Sequence, residues 1–200
     1  MRFGIQRRHI YLEPLGGMET PWLLRQLQAD DVRDAFALTM TPTTQGIQRE
    51  RKLGRLLLGT IRLVESRARI GFVAMVAPDE EREFWEIFAA IPDRRHRDAW
   101  SMLHTVDAMS HYMFDHGGVA KCGARVRTDN TASQAVVKRI GYRVERTELV
   151  EDLLHLCYVI DQPTWARRRA RLDEGEARHP SPGGGTFVVL RGPPYVPVVG

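Results

Sequence analysis

The chain has 200 residues, 43% hydrophobic and 27% charged, which is the length of about one domain and a composition able to bury a core without disulfide or metal staples. Its only cysteines, Cys122 and Cys157, sit in alternating apolar runs, which argues against a disulfide framework or a multi-cysteine metal site and for a reducing compartment. The formal charge is +4, every basic residue except Lys52, Lys121 and Lys138 is arginine, and no apolar run approaches the roughly 18 residues that span a bilayer, so the reading is a cytoplasmic protein with no membrane segment or signal peptide.

Residues 1–20 read as a short lead-in punctuated by Pro14, Gly16 and Gly17, with Pro21 following. Trp22–Leu27 reads as a strand, after which Asp30 or Asp31 can cap a helix through Asp34, Phe36 and Leu38 that Thr41, Pro42 and Thr43 stop. From Ile47 the positions Leu53, Leu56, Leu57, Ile61 and Val64 recur at three- and four-residue spacing, predicting an amphipathic helix with Arg49, Arg51, Lys52 and Arg55 on its solvent face. Ala68–Val76 and Glu83–Ile91 read as a hairpin across the polar turn 77–82. Ala99, Leu103, Val106, Met109 and Met113 then mark a long helix that Gly117 and Gly118 terminate. Val119–Val126 reads as a buried strand, Ser133–Ile140 as a short helix ended by Gly141, and Tyr142–Val150 with Leu153–Ile160 as a last strand pair.

The compact part is expected to span 21–166, closed by Pro163 and Trp165. Residues 167–200 change in composition, from the basic Arg167, Arg168, Arg169 and Arg171 to a Pro/Gly-rich stretch expected to be extended. Within it Phe187–Leu190 can add a strand to a sheet edge, and Pro193–Val198 can lie in a groove of a neighbouring copy or another protein. His104, His111 and His116 fall along the long helix at spacings of seven and five, which do not give the i, i+4 pair of a helical zinc site, so no metal is expected.

One segment is specific. Ala124–Glu145 carries Ala124, Arg125, Val126, Asn130, Ser133, Gly141 and Tyr142 in a pattern that resembles the A-R-V…N-x-x-S…G-[FY] signature of the Gcn5-related N-acetyltransferases (GNAT), closest to the branch acting on ribosomal-protein N-termini. Physically the same residues also read as a capped helix, with Asn130 at its start and Gly141 at its end. The resemblance implies an α+β fold: a mixed central sheet whose two parallel strands, Phe84–Ile91 and Val119–Val126, splay apart, with helices on both faces. It further implies acetyl-CoA as co-substrate, its pantetheine arm in the gap and its pyrophosphate on the loop leading into the long helix. The cofactor-binding set would be Ala90, Ile91, Arg94, Arg95, His96, Arg97, Asp98, Ala99, Asn130 and Ser133. That loop departs from the family pattern, because no glycine lies between Pro92 and Gly117; the arginines supply charge in place of close backbone approach.

Acetyl transfer to an amine calls for a proton acceptor and a group that protonates the departing thiolate. Glu83 and Glu86 occupy the strand where relatives place the base, and Glu86 is the candidate. The tyrosine that serves as acid in many members falls on Val137 here, and Ser133 is the replacement candidate. Two readings follow. One is an acetyl-CoA-dependent N-acetyltransferase acting on a primary amine of a protein, peptide or small molecule. The other is an inactive GNAT-fold component of a larger assembly or homo-oligomer, tethered by residues 180–200. A nucleic-acid partner is a third, minor reading from the basic clusters.

Overall fold

The computed structural model describes residues 5–7, 10–30, 32–33, 42–79, 83–150 and 152–178. The chain runs β1 (Ile5–Arg7), β2 (Ile10–Pro14), α1 (Thr20–Leu27), α2 (Thr44–Lys52), β3 (Leu56–Leu63), β4 (Arg69–Val76), β5 (Trp85–Ala90), α3 (Ala99–Asp115), β6 (Lys121–Arg127), α4 (Thr131–Ile140), β7 (Arg143–Val150), β8 (Leu153–Asp161) and α5 (Gln162–Arg178). The eight strands form one mixed sheet in the order β1-β2-β3-β4-β5-β6-β8-β7, antiparallel except for the β5–β6 pair. Helices cover both faces, as expected, because successive strand residues point to opposite sides. On β4, Phe72 and Ala74 pack with Leu23 of α1 and Ile47 of α2. Val73 and Met75 share the other cluster with Val106 and Met109 of α3 and Val136 of α4.

The N-terminal segment does more than lead in: β1 and β2 extend the sheet, with Ile10 and Leu12 fully buried. Trp22–Leu27, expected as a strand, is helical. Pro21 sits in the first turn, where its missing N–H costs nothing, and Leu23 is buried while Trp22, Leu24 and Leu27 pack partly around it. The helix expected from Ile47 to Val64 is two elements. Gly54, at φ 71°, takes the chain out of α2, and Leu56–Leu63 is a strand. A central strand buried on both faces reads as a continuous apolar run, which matches a helical period as well as it matches a strand.

The hairpin, the long helix, the short capped helix and the last strand pair stand where the sequence places them. The segment expected to be extended from residue 167 is helical to Arg178, and residues 179–200, including the proposed tether, lie outside the described ones; so does most of the helix expected after Asp30. Helix α5 docks on α3 through Trp165, which stacks on Phe114 and donates from Nε1 to Asp115 at 3.2 Å. Asp115 also pairs with His111 at 3.2 Å, so the long helix does hold an i, i+4 histidine–carboxylate pair, committed here to helix docking. Among the described residues no helix is long and apolar enough to cross a membrane, and no group of three or more His, Cys, Asp or Glu is placed to hold a metal.

Only Trp85↔Cys122 and Glu86↔Gly123 pair across β5 and β6. Beyond them β5 keeps its register with β4 to Ala90 while β6 keeps its register with β8 to Arg127, and the two strands part. Two glycines permit this shape. A Cβ at Gly123 would overlap the Phe84 ring, which packs against the strand at the paired end, and a Cβ at Gly71 would overlap the Ala90 carbonyl. The paired end is thereby pinned, and the far end of β5 stays close to β4.

Candidate active site

The parting strands open a cleft of about 990 Å³, walled by Ile87–Ile91 of the β5 side, Ala124–Val126 of β6, the first turns of α3 and one face of α4. Its lining is largely apolar: Leu103 and Val106 from α3, Ala132, Val136 and Val137 from α4, and Phe88 from β5. Where the β5–β6 ladder ends, backbone groups on the facing strand edges lose their cross-strand partners, so the cleft offers a strand-like edge to an amide-bearing guest.

Of the cofactor residues read from the sequence, Ala90, Ile91, Arg97, Asp98, Asn130 and Ser133 line this cleft, whereas Arg94, Arg95 and His96 do not. The arginine-rich turn is folded on itself. Arg95 donates from Nε and Nη2 to the two Asp93 carboxylate oxygens, at 2.7 Å for the closest contact, and holds the Asp93 carboxyl down to about 2. Arg97 donates to the carbonyls of Ile91 and Pro92 at 2.7 and 2.8 Å, fixing the chain as it leaves β5. The amides of Arg95, His96, Arg97 and Asp98 bond within the turn. Asp98 caps α3, accepting from the Ser101 N–H at 2.7 Å and the Ser101 hydroxyl at 2.6 Å, so its carboxylate is turned toward its own helix. Ala99 and Trp100 occupy the first two positions of α3, whose N–H groups have no intrahelical acceptor and point out of the helix start.

Asn130 caps α4 by accepting the Ser133 N–H at 3.1 Å, and Gly141, at φ 108°, ends the helix. The cap uses the Ser133 backbone N–H, and Ser133 lines the cleft. Val137 stands buried on the same wall. At the vertex, Glu86 is fully buried; Arg125 donates to its two oxygens at 2.6 and 3.0 Å and approaches Glu148 of β7 at 3.9 Å. Arg125 lines the cleft, Glu86 lies behind it, and Glu83 is solvent-exposed. The buried thiols of Cys122 and Cys157 are pushed up by desolvation, the second to about 11, which keeps them inert at neutral pH.

The sequence reading missed Trp100 and Arg139, which also line the cleft. A signal for Arg139 existed: it lies three and seven residues beyond Val136 and Ala132, on the face of α4 that the Asn130 signature turns toward the strands.

A mixed sheet split between two parallel strands, with a helix start at the split, is the architecture of an acyl-CoA-handling fold, and the comparisons give its family. The profile described as "Acetyltransferase (GNAT) domain" matches residues 20–143, and the chain belongs to that family. Comparison with curated proteins finds no match. Among solved structures it is similar to Mycobacterium smegmatis RimJ in complex with CoA-disulfide, at 18% identity and TM-score 0.64 over 86% of this chain and 93% of that one. It is also similar to spermidine N-acetyltransferase from Vibrio cholerae in complex with CoA and spermine, at 11% identity and TM-score 0.68, covering 79% and 98% of the two chains. Ribosomal-protein-S5-alanine acetyltransferase from Vibrio fischeri gives 12% identity and TM-score 0.64, covering 81% and 98%. These identities establish a shared fold.

Proposed function

We propose that the chain is an acetyl-CoA-dependent N-acetyltransferase acting on a primary amine of a protein, peptide or small molecule. The observation that carries the reading is the open cleft between β5 and β6 in a chain of this family. A side chain plugging the cleft, or strands paired along their whole length, would favour the inactive component instead; neither is seen among the described residues. The residues fit the co-substrate: apolar walls and a strand edge suit the pantetheine arm, and the outward N–H groups of Ala99 and Trp100 suit a diphosphate. When bound, acetyl-CoA supplies the activated acetyl thioester.

The chain's own residues then divide the work. Ala90 and Ile91 present backbone at the cleft edge, and Arg97 holds the carbonyls of Ile91 and Pro92. Asn130 fixes the first turn of α4, on which Ser133 lines the cleft, and we assign the Ser133 hydroxyl the role of giving a proton to the departing thiolate. Glu86 has both oxygens engaged by Arg125, so in this reading it holds that guanidinium at the vertex, and the ammonium proton of the acceptor leaves to water. The acceptor class, a primary amine, draws on the solved relatives named for spermidine and for ribosomal-protein S5 alanine. The basic-cluster reading toward nucleic acid weakens, because Arg55 pairs with Glu50, Arg51 donates to the Leu15 carbonyl and Arg168 pairs with Asp107.

Release of free thiol from acetyl-CoA in the presence of polyamines or alanine-initiated peptides tests the proposal. We expect turnover with at least one amine class. Ser133→Ala is expected to lower kcat by about 10²-fold or more with the CoA affinity unchanged, since the cap uses the backbone N–H. Turnover of Ser133→Ala at the parent rate would remove Ser133 from the chemistry, and no acetyl transfer to any amine would remove the enzymatic reading.

A further inference from the structure

We infer that Trp100 and Arg139 form a clamp for the nucleotide end of a coenzyme A thioester, the indole as a platform for the purine and the guanidinium as a ligand for a phosphate of that end. The inference rests on the acetyl-CoA reading and names the residues that recognise the nucleotide within it.

Three cations line the cleft among the described residues, and two of them are spent. Arg97 bonds the Ile91 and Pro92 carbonyls, and Arg125 is held by Glu86. Arg139 is different. It is exposed in the last turn of α4, no carboxylate among the described residues pairs with it, and its contact is the face of Trp100, with Cζ 5.1 Å from the ring centroid. A guanidinium steadied on an aromatic face, with its N–H fork unclaimed, is poised for bidentate capture of an oxyanion.

Trp100 is equally out of place as a packing residue. It is 51% exposed, whereas Trp85 and Trp165 are 8% and 1% exposed and Trp22 is only partly so. It lines the cleft from the second position of α3, with His104 packed obliquely at 6.0 Å on its own helix. A large ring left half in water at a cleft rim has an open surface on which a base can stack, and such stacking tolerates a guanidinium alongside. The pair spans two neighbouring helices that both line the cleft, so a ligand held there touches α3 and α4 at once.

The clamp accounts for what the glycine-free turn cannot do. Arg95 is occupied by Asp93, and the turn amides are used internally, so that loop offers little to the ligand's charge beyond the first N–H groups of α3. Arg139 lines the same cleft from the neighbouring helix α4 and supplies the missing positive charge.

The test is calorimetric titration of the full chain with CoA, 3′-dephospho-CoA and phosphopantetheine, combined with tryptophan fluorescence. Both side chains are exposed, so Arg139→Ala and Trp100→Phe should melt like the parent. Arg139→Ala is expected to weaken CoA binding about tenfold or more and to leave phosphopantetheine unchanged. A loss confined to CoA assigns the guanidinium to the 3′-phosphate, and an equal loss for 3′-dephospho-CoA assigns it to the adenosine-side phosphate of the diphosphate, which phosphopantetheine lacks. CoA is expected to quench the parent's fluorescence, and Trp100→Phe to remove most of that quenching while still binding. If the parent binds CoA but Arg139→Ala and Trp100→Ala bind it equally well, or lose phosphopantetheine to the same degree, the clamp is refuted and the cofactor reading stands. A parent that binds no CoA overturns both.

Discussion

A buried carboxylate at a strand vertex survives only with a partner, and Glu86 with Arg125 shows how much of the site's frame depends on one pair. The side chain of Glu86 is 0% exposed and that of Arg125 is 23% exposed, so the charges are largely withdrawn from water and compensate each other through two hydrogen bonds. Removing one member strands the other. Arg125→Met is expected to destabilise the fold by about 3–5 kcal/mol, and adding Glu86→Gln to that background should recover much of the loss, as seen in urea melts. An Arg125→Met protein that unfolds at the parent's midpoint would show that the pair is not what holds the vertex. Arg125 was visible in the sequence as part of the signature. Glu86 was singled out as a base, but its pairing with Arg125 was not legible, because a cross-strand pair depends on the parallel register of β5 and β6, which no local pattern encodes.

At the scale of elements, the segments that could be read were those with punctuation. Asn130 and Gly141 bracket α4, Asp98 and the Gly117–Gly118 pair bracket α3, and both helix starts have a side-chain cap that accepts a backbone N–H. Trp22–Leu27 and Leu56–Leu63 misread because a six- to eight-residue apolar run satisfies both periods, and tertiary burial decides between them. The opening of the cleft depends on a feature smaller than an element: Gly123 lies against Phe84, while Lys121 and Arg146 flank the same ring, each 5.8 Å from its centre. Gly123→Ala forces the ring or the strand to move. We expect a lower melting temperature, equivalent to about 1–3 kcal/mol, together with weakened CoA affinity because the strand angle changes. A stable Gly123→Ala protein with parent-like CoA affinity would mean that Phe84 does not set the splay.

For the molecule as a whole, the sheet places its single parallel pair in the middle and spends it on a gap, while antiparallel ladders on either side keep the strands in register. The family signature made this architecture legible from about 20 residues of α4 and its neighbours, and the family profile covers residues 20–143. The distribution of charge around the gap was not legible. The sequence suggested that Arg94, Arg95 and Arg97 face a diphosphate, but Asp93 claims Arg95, the carbonyls of Ile91 and Pro92 claim Arg97, and Arg94 does not line the cleft, whereas Arg139 of α4 does. The central claim is therefore that the cleft binds a coenzyme A thioester without a glycine loop. Isothermal titration of the full chain with acetyl-CoA tests it most directly: the account predicts one site per chain with a micromolar Kd, and the absence of heat at millimolar ligand would contradict it.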